Sequence, residues 1–495
     1  MSDPNAIQIP IGQALTSDML LGLKPSAPKS RSYRINVAPL NKSVFVGGDQ
    51  IIIELPTGRK GTWLDQSQSY LKFSVQCAST AAANVGGTGI YLDNSAYSFI
   101  QRLDIYNSSN LLETINEYGQ LANFLIDTSL TQSDKAGIAS MIGCNNLNTL
   151  IFAGAPAATT AYTLAQVAGD RSGMSMASVA GVATISTAIP YTFTLPILSG
   201  VIGVNASKML PIGKLSAPIR CEFYLAANDD AIYSRTAGAG AVWQLVNVEF
   251  CACYVELQDD NFDIPLAPGQ PTYISTSTYR QASTYLPSAT SGEFTTLVPF
   301  RCASLTALYA RFRNQATAIQ GSNATAAYRK SSSINPNLSS FYFRIGSSIF
   351  KNKPIYLING SLVGTGAEAY AELLKSFHAL SSSISNSALS LQNYNVCATA
   401  TQGWAAANAP GAKNTGTIDT HNNGFAIGLE CQSFSNRNDT ILSGISTLNS
   451  QIYFTGTINN GATAGGASTF NYTVDFFSQM DMILVIIDGV MSAKF

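Results

Sequence analysis

The stretch Ile219-Arg-Cys-Glu-Phe-Tyr-Leu225 alternates apolar and polar residues, which is the pattern of a half-buried β-strand. It belongs to a β-rich unit that occurs twice in the chain. The first copy contains, in order, a predicted strand at Phe99–Tyr106, a helix-like run at Glu117–Asp127, and further predicted strands at Tyr191–Leu195, Ile219–Leu225 and Val242–Leu257. The second copy contains a predicted strand at Phe341–Ile349, a helix-like run at Ala367–Leu380, and further predicted strands at Phe425–Leu429, Gln451–Thr455 and Met482–Ile487. Because the repeat is far longer than the roughly 20–50 residues of a solenoid repeat, it predicts two tandem β-domains built to one plan.

The fold class predicted from this repeat is all-β, with two tandem jelly-roll β-barrels (a double jelly roll), short helices and long loop insertions. Each unit is longer than the roughly 100 residues of an immunoglobulin sandwich. The 495 residues divide into an N-terminal arm at 1–45, a first jelly roll at 46–260 and a second jelly roll at 261–495. Further strands are predicted at Ile51–Leu55, Tyr70–Gln76, Phe294–Phe300, Leu305–Phe312 and Tyr472–Phe477.

Residues 1–45 are predicted to be an arm because they are rich in Pro and Ser, and because their isolated aliphatic residues never settle into one period. Such a segment orders only against a partner. Its basic residues, Lys24, Lys29, Arg31 and Arg34, form a modest group. A frayed terminus is an interpretation that the sequence leaves equally open.

The composition points away from a free monomer. Charged residues make up only 12% of the chain, whereas hydrophobic residues make up 46%, and soluble monomers usually carry more surface charge. We therefore expect the protein to lie outside the cell or, preferably, to cover its surface with copies of itself. The net charge of −1 argues against a specific nucleic-acid site, and no signal peptide or membrane span is visible. The eight cysteines, which form no CxxC motif, are expected to be reduced core residues.

No catalytic, cofactor-binding or metal-binding residue is predicted. Neither of the two histidines, His378 and His421, has a partner at a metal-ligand spacing. The acidic run Asp259-Asp-Asn-Phe-Asp263, which marks the domain boundary, lacks the spacing of a calcium-binding loop. Gly86-Gly-Thr-Gly89 and Gly364-Thr-Gly366 are predicted to be turns rather than phosphate loops. A long chain without catalytic chemistry indicates a structural role rather than an enzyme.

Several short motifs, taken in order, resemble those of double jelly-roll major capsid proteins, in particular those of polinton-like viruses, adintoviruses and virophages. Gly48-Asp-Gln-Ile-Ile-Ile-Glu-Leu-Pro56 and Trp63-Leu-Asp-Gln-Ser-Gln-Ser-Tyr-Leu71 are similar to the opening of that family, although Gln66 stands where Leu is usual. Met209-Leu-Pro-Ile212 and Ile219–Leu225 resemble the end of the first barrel, and Phe476–Leu484 resembles the closing strand. The resemblance touches both halves of the chain.

The resemblance implies a major capsid protein that forms homotrimeric, pseudo-hexagonal capsomers of an icosahedral shell. The implied partners are copies of itself, first in the trimer and then in neighbouring capsomers, together with penton and minor capsid proteins. The implied location is the virion, with synthesis and assembly inside the host cell. An extracellular adhesin or surface-layer protein remains the alternative, and a jelly-roll enzyme acting on carbohydrate is a third interpretation. Whether a membrane underlies the shell is left open.

Two further hypotheses concern assembly. The nearly uncharged excursions Gly143–Ala188 and Ala398–Asn423 are predicted to form subunit contacts, because interface cores are depleted in charge. The arm at 1–45 is predicted to lie beneath the shell and to tie each trimer to its neighbours.

Overall fold

The computed structural model describes residues 27–79, 90–144, 172–176, 185, 190–206, 208–234, 241–258, 269–287, 292–314, 330–331, 333, 336, 338–350, 352–357, 366–377, 425–432, 442–458 and 472–495. These residues form four large antiparallel sheets and one small sheet.

The first half of the chain forms a sandwich of two sheets. Its strands are β1 (Ser30–Val37), β2 (Val44–Val46), β3 (Gln50–Leu55), β4 (Thr62–Ser79), β5 (Ile90–Asp93), β6 (Ile100–Asn107), β7 (Asn110–Asn116), β8 (Ser172–Met176), β9 (Tyr191–Pro196), β10 (Ile219–Leu225), β11 (Ile232–Ser234) and β12 (Ala241–Leu257). Its helices are α1 (Tyr118–Ser129), α2 (Gln132–Ile142) and the short α3 (Asn228–Ala231). One sheet has the order β1-β12-β4-β9, with β2 also on β12, and the other has the order β3-β10-β6-β7. The small sheet is β11-β5-β8.

The second half repeats this arrangement. Its strands are β13 (Thr272–Leu286), β14 (Gly292–Val298), β15 (Leu305–Asn314), β16 (Leu338–Ile345), β17 (Ser348–Ile349), β18 (Ile355–Tyr356), β19 (Ile427–Glu430), β20 (Ile452–Ile458), β21 (Tyr472–Ile487) and β22 (Val490–Lys494), and its helix is α4 (Ala367–Ser376). One sheet has the order β13-β21-β15-β19, with β22 also on β21. The other has the order β14-β20-β16-β17, with β18 also on β16.

The two halves have the same topology. When the eight principal strands of each half are numbered along the chain, both halves pair them as 1-8-3-6 in one sheet and 2-7-4-5 in the other. This is the strand order of a jelly roll. A helix, α1 or α4, follows the fifth strand in each half. The predicted double jelly roll is therefore confirmed.

Each barrel is filled by aromatic side chains that the period-two pattern directs inward. In the first barrel, the rings of Phe99 and Trp243 meet edge to face with centroids 4.7 Å apart. In the second barrel, Phe454 of β20 packs against Phe343 of the neighbouring β16 at 5.1 Å and against Phe476 of the opposite sheet at 5.6 Å. Contacts of this kind fix how the two sheets of a barrel face each other.

Successive principal strands run in opposite directions, so the connections between them alternate between two ends of each barrel. We call the end that holds the connections after the first, third, fifth and seventh strands the apical end. Helices α1 and α4 lie in these apical connections. The basal end holds the connections after the second, fourth and sixth strands and the turn between β21 and β22.

The structure corrects three sequence-based expectations. The run Phe341–Ile349, predicted to be one strand, is divided between β16 and β17, which pair with each other. Residues 30–37, predicted to be part of the arm at 1–45, form β1, which pairs along its whole length with β12. The arm prediction is thus wrong for this segment; residues 1–26 lie outside the described part. The runs Tyr472–Phe477 and Met482–Ile487, predicted to be separate strands, belong to the single strand β21.

Candidate assembly surfaces

A buried group of charges joins the two barrels near the apical end. Asp475 at the start of β21 accepts hydrogen bonds from Arg311 (3.1 Å) and from Arg313 (3.0 Å), both of β15. Arg311 also donates to Gln120 Oε1 of α1 at 3.1 Å, and this bond crosses from one barrel to the other. Burial by itself would raise the pKa of Asp475, but the two guanidinium groups outweigh burial and hold the pKa below its usual value.

A second ionic contact between the barrels is centred on Lys330, which precedes β16. Its Nζ lies 3.1 Å from Glu117 and 2.9 Å from Asp230, and both carboxylates belong to the first barrel. Burial works to lower the pKa of Lys330, but the two carboxylates raise it above its ordinary value. The adjacent Ser331 donates from its backbone N to Asp93 of β5 at 3.0 Å. Lys330 therefore stays charged and holds three apical segments together.

Between these charges, α1 inserts an aromatic side chain into the second barrel. The ring of Phe124 lies 5.4 Å from that of Tyr309, 5.8 Å from that of Phe377 and 6.0 Å from that of Phe477. Phe124 is 4% exposed, so nearly all of its apolar surface is buried by the other barrel and its own. A buried aromatic side chain of this size contributes roughly 1.5–3 kcal/mol of hydrophobic stabilisation.

Midway down the contact, the edge strand β7 of the first barrel meets the edge strand β13 of the second. Glu113 of β7 is buried and accepts hydrogen bonds from the hydroxyls of Ser199 and Thr278 and from the backbone N of Gly200. Thr276 of β13 in turn donates to Gly200 O at 2.9 Å. Burial raises the pKa of Glu113, and its hydrogen bonds only partly offset this effect.

The basal ends of the barrels are also in contact. Ser216, which precedes β10, donates from its backbone N to Gly489 O at 2.9 Å. Met491 of β22 donates from its backbone N to Asn107 Oδ1 at 2.9 Å. Since apical connections meet apical connections and basal turns meet basal turns, the two barrels stand side by side in the same orientation.

We call the contact between the two barrels, described in the preceding paragraphs, the joint. In the described structure a second pair of equivalent barrel edges is not part of the joint. The joint places the fifth strand of the first barrel, β7, against the first strand of the second barrel, β13. The corresponding strands elsewhere are β17, the fifth of the second barrel, and β1, the first of the first barrel. In the described residues, neither β1 nor β17 makes a contact with the other barrel comparable to that between β7 and β13. The edges β7 and β13 therefore meet within the chain, whereas the equivalent edges β17 and β1 do not meet each other in the described structure.

The structure brings together none of the residues that were weighed for chemistry. His378, His421, Asp259–Asp263 and Gly86–Gly89 lie outside the described residues, as do most of the excursions Gly143–Ala188 and Ala398–Asn423. Among the described residues there is no group of three or more His, Cys, Asp or Glu side chains arranged to hold a metal ion. No described helix is long and apolar enough to cross a membrane. The seven described cysteines are buried free thiols.

The residues of the joint were missed at the sequence level. Glu113 follows Leu112, Arg311 lies between Ala310 and Phe312, and Asp475 lies between Val474 and Phe476. A charged residue beside apolar residues in a strand is the signal that could have found them. The partners Ser199, Gln120 and Asp475 lie far away in the chain, at separations of 86 to 191 residues. No short-range pattern encodes such a pairing.

Comparison with solved structures identifies the architecture. The chain matches a chain of the Sputnik virophage structure with 11% identity and a TM-score of 0.57, over 98% of this chain and 93% of that one. It matches the Faustovirus major capsid protein with 10% identity and a TM-score of 0.57, over 96% and 93%. It matches the mavirus major capsid protein with 12% identity and a TM-score of 0.53, over 97% and 93%. Comparisons of the sequence with protein-family models and with curated proteins find no match. The chain therefore has the double jelly-roll fold of these viral major capsid proteins.

Proposed function

We propose that this protein is a viral major capsid protein whose homotrimers form pseudo-hexagonal capsomers. The observation that carries the proposal is the pair of equal barrels, which stand in the same orientation and share the strand order 1-8-3-6 and 2-7-4-5. The solved structures of this fold come from virions or are named major capsid proteins. The role is structural, and the protein is placed in the virion.

The trimer follows from repeating the joint inside the chain. If β17 of one copy meets β1 of the next as β7 meets β13, every contact is a head-to-tail contact between equivalent barrels. Two barrels per chain and three chains then close a ring of six. The charge content of 12% suits a chain whose sides are covered by its neighbours.

Two surfaces are proposed to form contacts between subunits. One is the free edge at β17 and β18, where Tyr356 is 59% exposed. The other consists of the neutral excursions Gly143–Ala188 and Ala398–Asn423. Ala177→Lys and Ala406→Lys should weaken the trimer if these residues are buried at a subunit contact. Capsomers are proposed to contact one another and also penton and minor capsid proteins. Synthesis and assembly are proposed to occur inside the host cell.

Native mass spectrometry of the purified protein tests the proposal. We expect a trimer of the 52.4 kDa chain. Tyr356→Asp should lower the trimer fraction at micromolar concentration, because a carboxylate cannot be desolvated at the contact without cost. Tyr285→Asp is the matched control, since Tyr285 is 52% exposed on β13, whose edge is already used within the chain. A stable monomer that binds glycans would favour the adhesin instead, and equal trimer fractions in both variants would rule out the proposed edge.

A further inference from the structure

The hairpin of β6 and β7 contacts the second barrel through polar side chains. Its turn places Asn107 opposite Asn110, and these two amides hydrogen-bond the backbone of Met491 in β22 at 2.9 Å and 3.2 Å. Farther along β7, Glu113 accepts a hydrogen bond from the hydroxyl of Thr278 in β13. Hydrogen bonds at three positions of one hairpin therefore hold the joint.

The equivalent hairpin of β16 and β17 carries apolar side chains at two of these positions. Its turn begins after Ile345, as the first turn begins after Asn107. The backbone N of Phe350 donates to the carbonyl oxygen of Phe343, two residues before Ile345, at 2.8 Å. In the first hairpin, Glu113 likewise lies opposite the residue two before Asn107. Ile345 and Phe350 thus replace Asn107 and Glu113, and both are half-buried at the border of the second barrel's core.

The strands that receive the hairpins differ in the same sense. In the joint, β13 offers Glu113 the hydroxyl of Thr278. In the first barrel, the equivalent strand β1 has Tyr33, Ile35 and Val37 on its inward face, and all three are half-buried against the core. Neither Ile35 nor Val37 can donate a hydrogen bond from its side chain. The edge formed by β1 therefore suits an apolar hairpin rather than one that carries a carboxylate.

We propose that Phe350 of one copy packs against Ile35 and Val37 of the next copy, and that this apolar contact keeps the seam between copies, β17 against β1, distinct from the joint. The inference rests on the homotrimer proposed above. Docked on β1, the carboxylate of Glu113 would lose the hydroxyl of Thr278 and would be desolvated without a substitute. Docked on β13, Phe350 would leave that hydroxyl buried without an acceptor. Each wrong pairing is penalised, so β17 meets β1 and the two kinds of barrel alternate around the ring.

Native mass spectrometry of the full chain tests this specificity through a compensating set of changes. Phe350→Glu should raise the protein concentration at which half of the chains are trimeric by at least about tenfold, because the new carboxylate faces Ile35 and Val37. Ile35→Thr combined with Val37→Thr should weaken the trimer as well. The three changes together should restore much of the trimer, since the threonine hydroxyls supply the donors that Thr278 supplies to Glu113.

Phe350→Leu is the matched control, because it keeps an apolar side chain at the seam, and it should form trimers like the unmodified protein. Restoration of the trimer by the triple variant cannot arise from a loss of folding. The proposal is overturned if Phe350→Glu and Phe350→Leu form equal trimer fractions, or if the triple variant assembles no better than Phe350→Glu. A monomeric unmodified protein would overturn the homotrimer itself and this inference with it.

Discussion

At the scale of single residues, the buried carboxylate of Asp475 compensates the charges of two arginine side chains, Arg311 and Arg313. Asp475→Asn would leave Arg311, which is 1% exposed, without its counter-ion. Breaking a buried pair in this way costs about 3–5 kcal/mol. Glu256→Gln is the control, because its partner Arg59 is 83% exposed and such pairs contribute about 1 kcal/mol or less. Denaturant unfolding should show the difference, and similar losses for both variants would contradict the assigned role of Asp475.

Glu113 should give the joint a pH dependence of the opposite sign to that of Asp475. The folded-state pKa of Glu113 is raised above the unfolded value, so the folded protein binds more protons between the two pKa values, and stability rises as pH falls through the folded pKa. The folded pKa of Asp475 is lowered, so its stabilisation is lost only as pH falls below the ordinary carboxyl range. Relative to Glu113→Gln, the unmodified protein should gain unfolding free energy as the pH falls from neutral through the raised folded-state pKa of Glu113 toward the ordinary pKa of a glutamate side chain. An identical pH profile for both proteins would show that Glu113 does not titrate there.

At the scale of elements, β1 belongs to the first barrel and not to an arm. Tyr33, Ile35 and Val37 are half-buried on it, and the ring of Tyr33 lies 5.9 Å from that of Tyr254. Removal of residues 1–37 should therefore lower the unfolding temperature, because it strips a full-length partner from β12. Removal of residues 1–26 is the control that keeps β1, and it should leave the unfolding temperature higher than the longer truncation does. Equal unfolding temperatures for the two truncations would show that β1 does not stabilise the first barrel, which is the behaviour expected of an arm.

The elements that could be predicted from the sequence were those whose burial has a clear period. Strand β10 alternates buried and less buried residues, and its bounds Ile219–Leu225 were predicted without error. Strand β1 was missed because it is an edge strand, with one side in solvent and the polar residues Arg34 and Asn36 between its inward side chains. Strand β21 was divided because Gln479 and Asp481 interrupt its apolar run; Asp481 accepts a hydrogen bond from Ser304 at 2.5 Å. The joint could not be predicted, since its contacts depend on how two finished barrels meet.

At the scale of the whole molecule, the joint should make the two barrels unfold together. Phe124, Lys330 and Glu113 each contact a residue of the other barrel, so neither barrel keeps its full set of contacts when the other unfolds. Calorimetry should show one transition for the unmodified protein. Phe124→Ala combined with Lys330→Met should broaden or split it, whereas Leu40→Ser, far from the joint, should not. Two separate transitions in the unmodified protein would show that the barrels are energetically independent.

The joint also has a consequence for how assembly depends on protein concentration. Because β7 and β13 belong to one polypeptide, they meet at the high effective concentration set by a short linker, and this concentration does not change when the protein is diluted. In a ring of six barrels made from three chains, half of the seams would then be complete before any two chains collide. Only the remaining seams would depend on protein concentration and on the loss of translational freedom that each association costs. At equilibrium, the concentration of closed rings would scale with the third power of the concentration of free chains, whereas a ring of six separate barrels would scale with the sixth power of the concentration of free barrels.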